Sequence, residues 1–246
     1  EERWYQAAPS LVEGITNITA LRALRTQMDS LQFAQECLGV WLTPQELAGG
    51  AGAPLIDKET WQRCATSTPP QGTPSAYAVK FSVDGVYFAV CVAIKDGDTT
   101  HVELVDKRAT IGGKQALAEF VTKRAQTVPV IIDGKAGAES LYRRVIDSVP
   151  EDNVTIPAAA DLITANVDFV DAVNEGSITW FKPDSLDDSE EDELTKAVTE
   201  SYKRPIGRTG GWGFDGERAA VVEAATLAAW AAKQYEEDED EGEVFF

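Results

Sequence analysis

The sequence is poor in the residues on which much enzyme chemistry rests. It has one histidine, His101, one methionine, Met28, and three cysteines, Cys37, Cys64 and Cys91. A single histidine leaves no His-rich metal centre and no Ser-His-Asp triad. His101 falls in "HVELVD", a strand pattern, and reads as a strand-end residue. The odd cysteine count, with no CxxC spacing, argues against a disulfide framework. No run of about 18 apolar residues is present, so no segment reads as a membrane span. The opening "EERWYQAAPS" is charged and then amphipathic, unlike a signal peptide. The nearest approach to a phosphate-binding P-loop is "ATIGGKQ", which lacks the first glycine and the hydroxyl; ATP hydrolysis is therefore not expected. No GxSxG or GxGxxG occurs. The chain opens without methionine, which suggests a processed chain or a piece of something longer.

What is abundant is acid. The 246 residues carry a formal net charge of −19, yet 43% are hydrophobic, as in a soluble globular protein. The acid is concentrated. Asp184 to Glu193 ("DSLDDSEEDE") holds seven acids, Glu236 to Glu243 ("EEDEDEGE") seven more, and without them the body carries only −5. The first cluster reads as a loop leading into a helix, whose N-terminus favours acids. The second reads as a solvated tail. Both would repel a phosphate backbone.

Apolar spacing organises the rest. Leu11, Ile15, Ile18, Leu21 and Leu24 recur at helical intervals, so residues 1–47 read as helical. "LAGGAGAPL" and "STPPQGTPS" are rich in breakers, and 48–75 read as a flexible connection. A compact domain is expected over 76–235, followed by an acidic disordered tail over 236–246. "AYAVKFSV", "VYFAVCVAI" and "THVELVD" read as three antiparallel strands, with Asp84-Gly85 a hairpin turn. "VPVIIDG" reads as a short strand buried on both faces. Helices are expected through 114–124, 138–149, 159–173, 191–202 and 218–235, with "RPIGRTGGWGF" a glycine-rich segment. This order implies an α/β fold: an RNase H-like mixed sheet flanked by helices, preceded by a helical N-terminal segment. "AYAVKF" and "VIID" should then be neighbours at the sheet centre.

Chemistry is left to carboxylates at strand ends. Asp133 ends the buried strand, where ligands of open sheets collect; its bland reading is a cap for the helix that follows. Asp84 lies in the hairpin and is otherwise a turn residue. Asp215 and Glu217 precede the last helix and are otherwise ordinary helix-start acids. Three or four carboxylates converging from separate elements would hold two Mg²⁺ ions for phosphodiester hydrolysis. One residue breaks the pattern: Lys80 stands in the first apolar run, where its bland reading is a side chain that snorkels from the sheet.

The pieces "LQFAQECLGVWL", "YAVKFSVDG", "HVELVD", "VIIDGKAGAESL", "FVDAVNEGSITW", "YKRPIGRTGGWGF" and "AATLAAWAA", in this order over nearly the whole chain, resemble the C-terminal half of phage terminase large subunits, in the branch from phages of actinobacteria. The resemblance implies a metal-dependent endonuclease domain that cuts concatemeric double-stranded DNA during packaging, using Mg²⁺ or Mn²⁺. It implies as partners the terminase ATPase domain, the small terminase subunit and the portal protein, no membrane, and the host cytoplasm as location. Residues 1–47 would be the linker from the ATPase half. The family's first-strand aspartate falls at Lys80, its second at Asp133, and its last-helix aspartate at Arg218, beside Glu217 and near Asp215. The candidate ligands are therefore Asp133, Asp84 and Asp215, with Glu217 a further catalytic candidate. Lys80, Lys135, Arg204 and Arg208 are candidate DNA contacts, Lys80 being also a candidate stand-in for one metal ion through pairing with Asp133, with Arg143, Arg144 and Lys203 as further bases. The alternative is an impaired module with a structural or DNA-guiding role. A resolvase on the same fold is more distant.

Overall fold

The structure, a computed structural model, describes residues 4, 11, 13–14, 16–28, 33, 36–38, 54–70, 72–182, 192–207 and 210–242. The chain forms two compact units, Glu1–Gly52 and Ala53–Phe246. In the first, helix α1 (Ile18–Gln27) starts at Asn17, whose side-chain oxygen accepts from the Thr19 N–H. Leu11, Leu21 and Phe33 are buried there, and the Trp4 ring lies 5.0 Å from that of Phe33.

The second unit begins with helix α2 (Lys58–Arg63) and strand β1 (Ala65–Thr66). Strands β2 (Ala76–Phe81), β3 (Tyr87–Asp96) and β4 (Thr99–Ala109) follow, then helix α3 (Thr110–Arg124). Next come β5 (Val130–Asp133), α4 (Ala138–Val145), β6 (Val154–Thr155), α5 (Ala159–Glu175) and β7 (Ile178–Phe181). Helix α6 (Glu193–Thr199), strands β8 (Tyr202–Ile206) and β9 (Gly211–Asp215) and helix α7 (Ala219–Gly242) complete the chain. Seven strands form one mixed sheet in the order β1-β7-β4-β3-β2-β5-β6, and β8 and β9 form a separate pair.

As the sequence implied, β2 lies centrally, antiparallel to β3 and parallel to β5, with Lys80 in register with Asp133. Alternation along the strands sorts side chains by size onto two faces. Tyr77, Val79, Phe81, Val90 and Val92 face Leu117, Val121, Leu141 and Val145 of α3 and α4. Ala76, Ala78, Ala89, Cys91 and Ala93 form the other face, small enough for α7 to pack close. Sheet on one side and α5, α6 and β9 on the other bury α7 from Ala220 to Ala228 and again at Ala231 and Ala232, which suits its run of Ala, Val and Leu. Fully burying Val221, Val222 and Leu227 contributes about 1.5–3 kcal/mol each.

Three expectations change. The stretch 48–75 is not simply a flexible connection. Asp57 caps α2 by accepting from the Thr60 N–H, and Trp61, fully buried, stacks on Trp180 at 5.4 Å. The Trp61 indole N–H donates to Thr195 Oγ1, and β1 pairs with β7. The breaker-rich segments only flank this element, and a single tryptophan supplies enough apolar area to dock it. The glycine-rich segment likewise supplies strand residues to the β8–β9 pair, Tyr202 opposite Asp215, on either side of residues 208–209, which lie outside the described residues. Helix α7 runs through Gly242, into the acidic run expected to be a disordered tail. Asp192 caps α6 by accepting from the Thr195 N–H, as expected for acids at a helix start, while 183–191 lie outside the described residues.

Candidate functional site

At the end of the sheet where β2 and β5 finish, a charge sits on the otherwise small-residue face. Lys80 is 5% exposed. It does not snorkel. Its ammonium donates to Asp133 Oδ2 and lies 2.6 Å from Glu223 Oε2, the carboxylate that α7 brings down onto the sheet. The other Glu223 oxygen accepts from Arg204 Nη2 at 2.8 Å, and Arg204 Nε donates to the Phe214 carbonyl at 2.8 Å. Four elements are thus joined by a chain of two acids and two bases whose formal charges cancel. Glu223 is 1% exposed, so both of its oxygens must be paired, because an unpaired buried carboxylate costs several kcal/mol. Asp133, its side chain 19% exposed, is the more open acid.

The local backbone explains the arrangement. Gly134, at φ +111°, turns the chain directly after Asp133, and a Cβ there would stand 2.7 Å from the Phe81 carbonyl. Gly213 on β9 leaves the space into which the Arg204–Glu223 pair fits, since a Cβ there would stand 2.9 Å from Glu223 Oε1.

The other candidates lie at the same end of the sheet but do not join the cluster. Asp84 is occupied by its own turn: Ser82 Oγ donates to Oδ1 at 2.6 Å and the Val86 N–H at 3.0 Å. Those two bonds, the Ser82 hydroxyl first, hold its carboxyl below the usual carboxylate range. Asp215 Oδ1 accepts from the Gly216 N–H, and its charge adds to burial in raising the Tyr202 phenol. Glu217 is a surface side chain: its carboxylate lies 3.8 Å from Arg218 Nη1, and its carbonyl accepts from the Tyr87 hydroxyl at 2.9 Å. Arg218, at the family's last-helix acid position, reaches Glu200 at 2.8 Å and Glu193 at 3.2 Å. Burial raises Glu193, but the Lys107 hydrogen bond and the charges of Lys107 and Arg218 outweigh it and leave the carboxyl below its ordinary value. Lys135 is exposed in the turn after Asp133. Lys80 and Arg204, expected as DNA contacts, are both paired with acids here, Lys80 buried and Arg204 partly exposed. Arg208 lies outside the described residues. His101 is buried rather than at a strand end, between Thr179 Oγ1 at 3.0 Å and Glu103 Oε1 at 2.9 Å.

Glu223 is the residue that sequence reasoning missed. Its signal was present: one acid inside "AAVVEAATLAAW", an otherwise apolar helix. A buried acid needs a cation, and Lys80 was the cation in an apolar strand.

A divalent metal does not fit these residues. Among the described residues no three His, Cys, Asp or Glu side chains group as metal ligands, so Asp84, Asp133 and Asp215 do not form the expected site. At an effective dielectric of about 20, the ammonium repels a dication 4 Å away by roughly 8 kcal/mol. Lys80 bonds the same two carboxylates that such an ion would need.

No protein-family model and no curated protein matches the chain by sequence. Solved structures do resemble it. The large terminase of bacteriophage HK97 superposes with a TM-score of 0.52 at 12% identity over 94% of this chain and 53% of that one. The human cytomegalovirus terminase nuclease domain, in manganese-soaked crystals, gives 0.42 at 12% identity over 71% of this chain and 94% of that one. The chain thus spans about half the length of the HK97 protein. At such identities the likeness is one of fold, and it agrees with the element order and the central pairing of β2 with β5. The chain has an RNase H-like fold, a mixed seven-stranded sheet flanked by helices like that within the HK97 large terminase.

Proposed function

We propose that this chain is the nuclease-fold half of a viral DNA-packaging terminase large subunit. It works on concatemeric double-stranded DNA beside an ATPase half, a small subunit and a portal protein, in the cytoplasm of an infected host. The fold and the order of motifs from "LQFAQECLGVWL" to "AATLAAWAA" support this reading; the actinobacteriophage-type branch rests on the motifs alone. Among the described residues no helix is long and apolar enough to cross a membrane, consistent with that setting.

Within that role the domain guides or docks DNA and does not cut it. The observation that carries this is the Lys80 ammonium held between Asp133 and Glu223, which removes one family carboxylate and neutralises the others. DNA contact then falls to exposed bases outside the cluster. Lys135 is exposed in the turn after Asp133, and Lys203 lies over the Trp212 ring at 4.8 Å.

The second reading is a Mg²⁺- or Mn²⁺-dependent endonuclease, with Asp133, Asp84, Asp215 and Glu217 as its acids. It is favoured by the partial opening of Asp133 and by the placing of all four at one end of the sheet. Incubation of supercoiled plasmid with the protein and Mn²⁺ or Mg²⁺ separates the two. The wild type and Asp133→Asn are expected to leave the plasmid intact while retaining DNA in a gel-shift assay at low salt. Cleavage by the wild type that Asp133→Asn abolishes would establish the endonuclease instead. Absence of DNA retention would remove the guiding role.

A further inference from the structure

The cluster's geometry bears on what kind of cation this cleft takes. A strand-end carboxylate, Asp133, and a helix carboxylate, Glu223, are brought together from β5 and α7. The Lys80 ammonium touches both, and the lysine backbone is locked in the central strand, in register with Asp133. Its strand neighbours on that face are Ala78 and, across the ladder, Ala89; both are buried and small, so they leave the side chain space to extend. The remaining Glu223 oxygen is filled by Arg204. An untethered ion would enter such a site by shedding water and satisfying the carboxylates. Here the sequence itself carries the charge that does so.

We infer that Lys80 is the resident cation of the cleft, a tethered ammonium in the place of a metal ion, so the wild-type protein has no divalent site there. Exchanging this one side chain for a carboxylate creates a site from residue 80, Asp133 and Glu223. The inference concerns the cleft's own cation and holds whether or not the domain handles DNA.

The test measures Mn²⁺ binding by the full chain, using the electron paramagnetic resonance of the free ion, together with melting temperature in EDTA and in millimolar Mn²⁺. The wild type is expected to melt alike in both and to bind no Mn²⁺ that is lost on Asp133→Asn. Lys80→Asp is expected to gain a single tight site and a higher melting temperature in Mn²⁺, both lost in Lys80→Asp/Asp133→Asn. If Lys80→Asp folds only when Mn²⁺ is present, the inference is equally supported. Lys80→Ala supplies a second route, because it leaves two acids around the volume of the missing side chain. Its melting temperature should be restored by Mn²⁺ or propylammonium but not by tetramethylammonium at equal ionic strength. Wild-type Mn²⁺ binding that depends on Asp133 would overturn the inference. So would a folded Lys80→Asp without a new site, or a Lys80→Ala that no cation restores.

Discussion

At the scale of single residues, the Lys80–Glu223 contact is unusual because neither partner has water to fall back on. Removing one charge from such a pair strands the other, which typically costs about 3–5 kcal/mol, whereas replacing both by apolar groups of similar size is often neutral. Glu223→Gln is therefore expected to lose about that much stability in urea denaturation. Lys80→Met/Glu223→Leu should lose clearly less stability than the two single variants summed; a loss equal to that sum would show that the pair is not coupled. Asp84 offers a milder case. Its folded carboxyl titrates below the ordinary 3.8, so its contribution is complete above that value and is lost as pH falls through the lower, folded one. Asp84→Asn should flatten the acid limb of stability below pH 3.8, measured by thermal melts on either side of that value. These residues also show how much of the site was legible. Asp133 followed from an apolar run ending in an acid. Lys80 was visible as an anomaly but not its partner, because sequence spacing cannot say which turn of α7 meets the sheet. The acid was sought at the first turn of the helix, near Arg218, and it lies five residues further on.

Among elements, the β5–α4 connection is the tightest joint. Gly134 has a left-handed φ of +111°, and any Cβ would press on Phe81 backbone atoms, which cannot rotate away. Gly134→Ala should therefore cost about 1–3 kcal/mol in backbone strain before the steric contact is counted. The loss should appear as a lower urea midpoint with an unchanged slope, while a full wild-type midpoint would mean that the turn can be remade. Most strands and helices were readable, because hydrophobic period and turn residues agree along β2 to α3. The β8–β9 pair was not: its four glycines and one proline hide the alternation, and Gly213 is there to admit the Arg204–Glu223 pair rather than to break a strand. The α2–β1 element was hidden for a different reason. Its anchor, Trp61, finds its partners Trp180 and Thr195 more than a hundred residues away in sequence.

For the molecule as a whole, that docking moves the start of the folded unit from about Ser75 to Ala53. A chain beginning at Ala53 should unfold in one transition. One beginning at Ser75 lacks Trp61 and should lose about 3–5 kcal/mol, the usual cost of deleting a large buried aromatic. It should also show red-shifted tryptophan emission as Trp180 meets water. Equal stability of the two would return 48–75 to the role of a connection.

The sheet's margins have a consequence of their own. Both outermost strands, β1 and β6, are only two residues long, whereas β3 and β4 inside the sheet run to ten and eleven. An exposed edge strand is a template on which another chain can add itself, and short edges are one way proteins blunt that hazard. Here the lateral growth of the sheet stops on each side at a stub too short to hold a second copy in register. At high concentration the main sheet is thereby protected from edge-to-edge self-association.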